Sequence, residues 1–83
     1  MNAGSTFRFA SAGNVERARA AFHTALTLDP RDPTTYTNLG LLELSGGQAA
    51  ASAELFAEAL SLDPTSSSAR RGLAEAQRAL TAR

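Results

Sequence analysis

The side chain with the widest chemical repertoire in this 83-residue chain is its single histidine, His23. Imidazole can hold a metal or relay a proton near neutral pH. A zinc or transition-metal site, however, needs three or four converging ligands. The chain has no cysteine and no His-carboxylate cluster. His23 follows Phe22 on a helix side that turns away from the apolar seam, and it reads as a solvated surface residue. Glu54 and Glu58 stand four apart on one helix face. A general acid–base pair also needs a pocket and a group that orients substrate, so these two read as a solvated face. Gly46-Gly47 is not a phosphate loop, because no lysine follows it and no strand pattern precedes it. Ser66-Ser67-Ser68 offers hydroxyls for phosphorylation or for helix capping, and capping is the simpler use. No catalytic residue, cofactor site or metal site is expected.

Composition narrows the classes further. Eight arginines and no lysine balance eight acidic residues, for a formal net charge of zero. A generic nucleic-acid binder needs a basic excess to neutralise phosphates. The absence of cysteine excludes a disulfide framework and a thiol nucleophile. No apolar run approaches the roughly 20 residues of a membrane-spanning helix. Phe7 to Ala12 is too short for a secretory h-region and is interrupted by Arg8. Residues 1–15 carry Arg8, Ser and Thr and no acid, faintly like an organelle transit peptide, but they also read as a poor first helix. The expectation is a cytoplasmic protein. Aromatics are few: Phe7, Phe9, Phe22, Tyr36 and Phe56. The core must come largely from Leu and Ala, which suits close-packed helices. A domain of this size buries only about 60–65% of its unfolded surface.

The elements that would position these groups repeat. Sliding the chain by 34 residues lays Phe22-x-x-Ala25-Leu26-x-Leu28-Asp29-Pro30 on Phe56-x-x-Ala59-Leu60-x-Leu62-Asp63-Pro64. Six of those nine positions are identical, and Gly13 falls on Gly47, Ser11 on Ser45 and Leu39 on Leu73. Each unit reads as two helices. Asp32-Pro33 supplies a cap and a proline for the first helical position. Tyr36, Leu39, Gly40, Leu42 and Leu44 follow at near-helical spacing, and Gly46-Gly47 ends the helix. A second helix is expected from about Gln48 to Leu62, where Pro64 stops it. The first unit repeats this plan, with a turn at Gly13, a helix from about Asn14 to Leu28, and Pro30. A last helix, about Ser67 to Ala82, carries Ala69, Leu73, Ala76 and Leu80 on one stripe.

The sequence resembles the tetratricopeptide repeat (TPR) family. That family has 34-residue helix-turn-helix units with an aromatic-x-x-Leu-Gly opening and an Ala-x-x-x-Phe-x-x-Ala…Pro close. Tyr36-x-x-Leu39-Gly40 matches the opening. Phe56, Ala59 and Pro64 match the close, with Ser52 at the small-residue position, and Ala18, Phe22, Ala25 and Pro30 match it upstream. The resemblance implies an all-α solenoid of about five helices stacked in a right-handed sense. Its implied division is a degenerate first repeat at 1–32, a complete repeat at 33–66 and a capping helix at 67–83, in one domain over 1–83. The first unit departs from the pattern, with Ser5 and Thr6 at the Leu-Gly position, and Glu43 stands where a large apolar group is usual. Two units and one helix fall short of the three or so repeats usually needed for stability, so the expectation is either a fragment of a longer array or a core completed by self-association.

The resemblance also implies a groove lined by the first helix of each unit. Thr34, Thr37, Leu41 and Leu44 would face it, with Asn38 beside them. Two leucines on that wall suit an apolar or amphipathic protein or peptide partner. One TPR subclass clamps acidic chaperone tails; only Asn38 matches its pattern, and Ala3, Phe7, Ser68 and Gly72 stand at the other clamp positions. The function expected is a non-catalytic protein–protein interaction module. The alternatives are a TPR piece of a larger transferase or secretion machine, or RNA processing of the half-TPR kind, suggested by Gly13-Asn14-x-Glu16-Arg17-Ala18-Arg19-x-x-Phe22. Charge is segregated: residues 1–32 are net +1, 33–66 are net −4 with no arginine, and 67–83 are net +3. Nucleic acid and membrane are not expected partners.

Overall fold

The computed structural model describes the backbone of residues 3–82 and the side chains of residues 13–82. The side chains of Ala3, Ser5, Thr6, Phe7, Arg8 and Phe9, and the whole of Arg83, lie outside the described residues. Four helices run in order, with no strand among the described residues: α1 (Ala3–Leu28), α2 (Pro33–Ser45), α3 (Ala49–Leu62) and α4 (Ser67–Thr81). α3 lies between α2 and α4, and among the described residues α1 touches only α2.

The repeat in sequence is a repeat in bonding. Asp32 caps α2 by accepting from the Thr34 N–H at 3.0 Å, with Pro33 in the first turn. The equivalent Ser66 caps α4, its Oγ accepting from the Ala69 N–H at 3.1 Å. The two Asp-Pro loops match as well. Asp29 Oδ1 accepts the Arg31 N–H and Asp63 Oδ1 accepts the Thr65 N–H, two residues on in each case. The Tyr36 hydroxyl reaches back to the Pro30 carbonyl, and the Arg70 guanidinium reaches back to the Pro64 carbonyl. These four positions are again 34 apart. α2 ends on Gly46-Gly47, where Gly47 takes φ +82, a conformation open mainly to glycine.

The turn expected at Gly13 is absent. α1 is one helix of 26 residues that passes through Gly13, so the described residues form four helices where about five were expected. Gly47 is the only described glycine with positive φ. A lone glycine does not break a helix; it costs about 1 kcal/mol relative to alanine. Folding back would be rewarded by a close Leu-Gly approach like that of Leu39-Gly40, and the sequence has Ser5-Thr6 there. A Cβ built on Gly13 meets nothing within 4 Å. Gly13→Ala should therefore stabilise the chain by about 0.5–1 kcal/mol in a denaturant titration. A loss of stability would mean that Gly13 occupies a turn in solution.

The core is built around Phe56, which is fully buried with Ala59, Ala69 and Ala76, while Leu44, Leu60 and Leu73 pack onto that cluster. No described residue of α1 belongs to it. Ser52 is completely buried, and its hydroxyl turns back to the Ala49 carbonyl at 2.9 Å. The stripe expected on α4 is inside at Ala69, Leu73 and Ala76, but Leu80 is outward, 40% exposed. It stands at the rim of an open hollow beside Leu44 and Ala49, where no helix covers it. Phe22 was expected to fill space between units as Phe56 does. It is only half-buried, and among the described residues only α2 packs on α1.

An ion pair joins α1 to α2, beside the half-buried Phe22, Ala25 and Leu26. Arg19 Nε and Nη2 donate to the two Glu43 carboxylate oxygens at 3.1 and 3.2 Å, and Nη1 donates to Glu16 at 2.8 Å. Donation to Glu43, then to Glu16, holds the guanidinium pKa above its ordinary value. The apolar group usual at position 43 is thus replaced by a bidentate ion pair, which fixes orientation as well as contact. Arg19→Ala should accelerate amide exchange throughout α1 and leave α2–α4 protected. A uniform change across all four helices would mean that α1 opens only with the rest.

Candidate functional site

Five residues expected on one wall of a groove, Thr34, Thr37, Asn38, Leu41 and Leu44, follow helical spacing along α2. The capped start at Asp32-Pro33 sets their phase. They border two hollows between α2 and the start of α4. The first, about 200 Å³, is bordered by Thr34, Thr37, Asn38 and Leu41 across from Asp63 and Ser66. The second, about 310 Å³, is bordered by Leu41 and Leu44 across from Arg71, Gly72 and Glu75. Leu41 and Ser68 border both, so the two hollows run together as one shallow cleft.

The five residues do not contribute equally. Leu41 is 50% exposed, one of three exposed leucines among the described residues with Leu28 and Leu80. Thr34 is exposed and Asn38 half-buried. Thr37 is buried, and its hydroxyl donates to the Pro33 carbonyl at 2.9 Å. Leu44 is half-buried and packs onto the Phe56 cluster, so it serves core and cleft together.

Of the second wall only Ser68 and Gly72 were anticipated, as clamp positions, although the signal for the rest was present. Shifting Thr34, Thr37, Asn38 and Leu41 by 34 residues gives Ser68, Arg71, Gly72 and Glu75. These are the α4 residues that border the cleft. Reading α4 chiefly as a capping helix left Arg71 and Glu75 out of the groove.

The groups weighed for chemistry lie elsewhere. His23 is exposed on α1, where its backbone carbonyl accepts from the Thr27 hydroxyl. Glu54 and Glu58 are exposed and border a hollow of about 520 Å³ with Tyr36, Leu55 and Glu43. Among the described residues no three His, Asp or Glu side chains come together as metal ligands. No described helix is long and apolar enough to cross a membrane. A family model described as tetratricopeptide repeat matches the chain twice, over residues 8–67 and 37–82.

Proposed function

Because the chain belongs to the tetratricopeptide repeat family, whose general role is protein–protein interaction, we propose that it is a non-catalytic binding module whose α2–α4 cleft holds an apolar or amphipathic segment of a partner protein. One repeat domain supplies both walls. The observation that carries this reading is Leu41, half exposed at the junction of the two hollows. Leucine left in water there loses about 1–2 kcal/mol of burial that a ligand can restore. Thr34, Asn38 and Ser68 flank it with groups able to bond a peptide backbone.

Leu41→Ser tests this reading without emptying the core. The variant should keep its melting temperature within a few degrees and lose capture of a partner obtained by pull-down with the parent chain. Binding to the parent should depend weakly on salt, since apolar contact is not screened. Unchanged capture by Leu41→Ser would move the binding surface off the cleft. Leu44 is unsuited to this test, because its truncation also damages the Phe56 cluster.

A further inference from the structure

Charge is placed unevenly along the α2–α4 cleft. Across from Leu41 and Leu44 stand Arg71 and Glu75, both exposed on α4. Arg71 is the one basic side chain that borders either hollow among the described residues. The two stand four apart in the chain, where opposite charges on a helix can meet. They are nevertheless unpaired, since both ion pairs among the described residues belong to Arg19. Arginine before glutamate is the weaker order for such a pair. Arg70, the neighbouring cation, is turned to the Pro64 carbonyl. In the other hollow the bordering groups are neutral except Asp63, whose Oδ1 already accepts the Thr65 N–H and hydroxyl. Arg71 and Glu75 are thus two opposite charges left to solvent beside an apolar wall.

Their spacing bears on what could lie across them. Four residues of helix advance about 6 Å. In an extended chain, side chains two residues apart point the same way at about 6.5–7 Å. Thr34, Asn38 and Ser68 offer hydroxyl and amide groups to a peptide backbone. An extended chain has backbone groups to spare for them, whereas a helix uses its own internally.

Resting on the cleft reading above, we infer that the occupant is an extended segment of a partner protein whose alternate side chains present an apolar anchor to Leu41, a carboxylate to Arg71 and a cationic group to Glu75. Arg71 and Glu75 are then specificity residues. Leu41 supplies apolar contact common to many ligands, and the two charges select among them. A segment with its charges exchanged would set like charges together twice, which disfavours it.

Selection of a phage-displayed library of random short peptides on the immobilised 83-residue chain tests this. The selected peptides should share an apolar residue, an acid two positions from it and a base two positions further on. Arg71→Glu as bait should exchange that acid for a base, and Glu75→Arg should exchange the base for an acid. Each bait is first confirmed helical by circular dichroism. A synthetic consensus peptide whose acid is replaced by Gln should bind the parent about two- to fivefold more weakly. The same replacement should make no difference to binding by Arg71→Gln. Leu41→Ser as bait separates this inference from the reading beneath it. If the parent selects no peptide that Leu41→Ser loses, the cleft is not the binding surface and both fail. If peptides that depend on Leu41 emerge without the acid and base, or with charges unaltered on Arg71→Glu and Glu75→Arg, the cleft stands and this inference is overturned. An acid and a base four positions apart would mark a helical occupant and overturn the extended one.

Discussion

Phe56→Ala should abolish most helical circular dichroism at 25 °C. The ring is fully buried and is the largest side chain in the core. It sits against both Gly40 and Gly72, so it joins α2 and α4 through α3. Emptying a site of that size costs about 3–5 kcal/mol. Collapse of the neighbours cannot refill it, because the two positions facing the ring carry no side chain. The whole stability of so small a disulfide-free domain is below about 5 kcal/mol. The variant should therefore populate the unfolded state heavily, with α2, α3 and α4 lost together. A variant that melts within a few degrees of the parent would show that Phe56 is not the joint of the stack.

Gly72→Val should be nearly as damaging, for the opposite reason. A Cβ at position 72 would fall 2.4 Å from both Cε1 and Cζ of the Phe56 ring. The same ring edge is also seated on Gly40, whose Cβ position would lie 2.7 Å from Cε1. Either α4 lifts off α3 or the ring leaves its rotamer. Such overpacking costs about 1–3 kcal/mol and sometimes more. Valine is not a strong helix former, so no gain in propensity offsets the clash. Chemical denaturation should give a midpoint well below that of the parent, and the cleft bordered by Arg71 and Gly72 should widen. An unchanged midpoint would mean that α4 is less closely seated than the structure has it. Gly13→Ala provides the contrast, since the same kind of change in open space should stabilise.

Much of this molecule is legible along the chain because its determinants are local. Asp32-Pro33 and Ser66 start helices by satisfying N–H groups two or three residues away. Gly47 ends one by adopting a dihedral that other residues resist. Asp29-Pro30 and Asp63-Pro64 turn the chain in the same way twice. These contacts span a few residues, so identity and spacing suffice to read them, and the 34-residue shift carries each from one unit to the next. The α2 wall of the cleft follows from the same period, and so does the α4 wall once α4 is granted the same role.

Other features depend on what lies across space. Gly13 and Gly47 are equivalent in the repeat, yet only Gly47 turns the chain. A helix folds back only where a neighbour rewards close approach. Phe22 and Phe56 are equivalent as well, yet only Phe56 is buried, because α3 has a helix on either side while α1, among the described residues, meets only α2. Gly72 looks unremarkable in sequence and proves to be one of two seats for the Phe56 ring. Glu43 departs from the apolar pattern and is satisfied by Arg19, 24 residues away. Leu41 and Leu44 read alike on one stripe, but one is half in water and the other is shared with the core. Periodicity names the face on which a side chain stands. Burial is decided by whether a second surface arrives to meet that face, and that surface belongs to a residue far away in sequence.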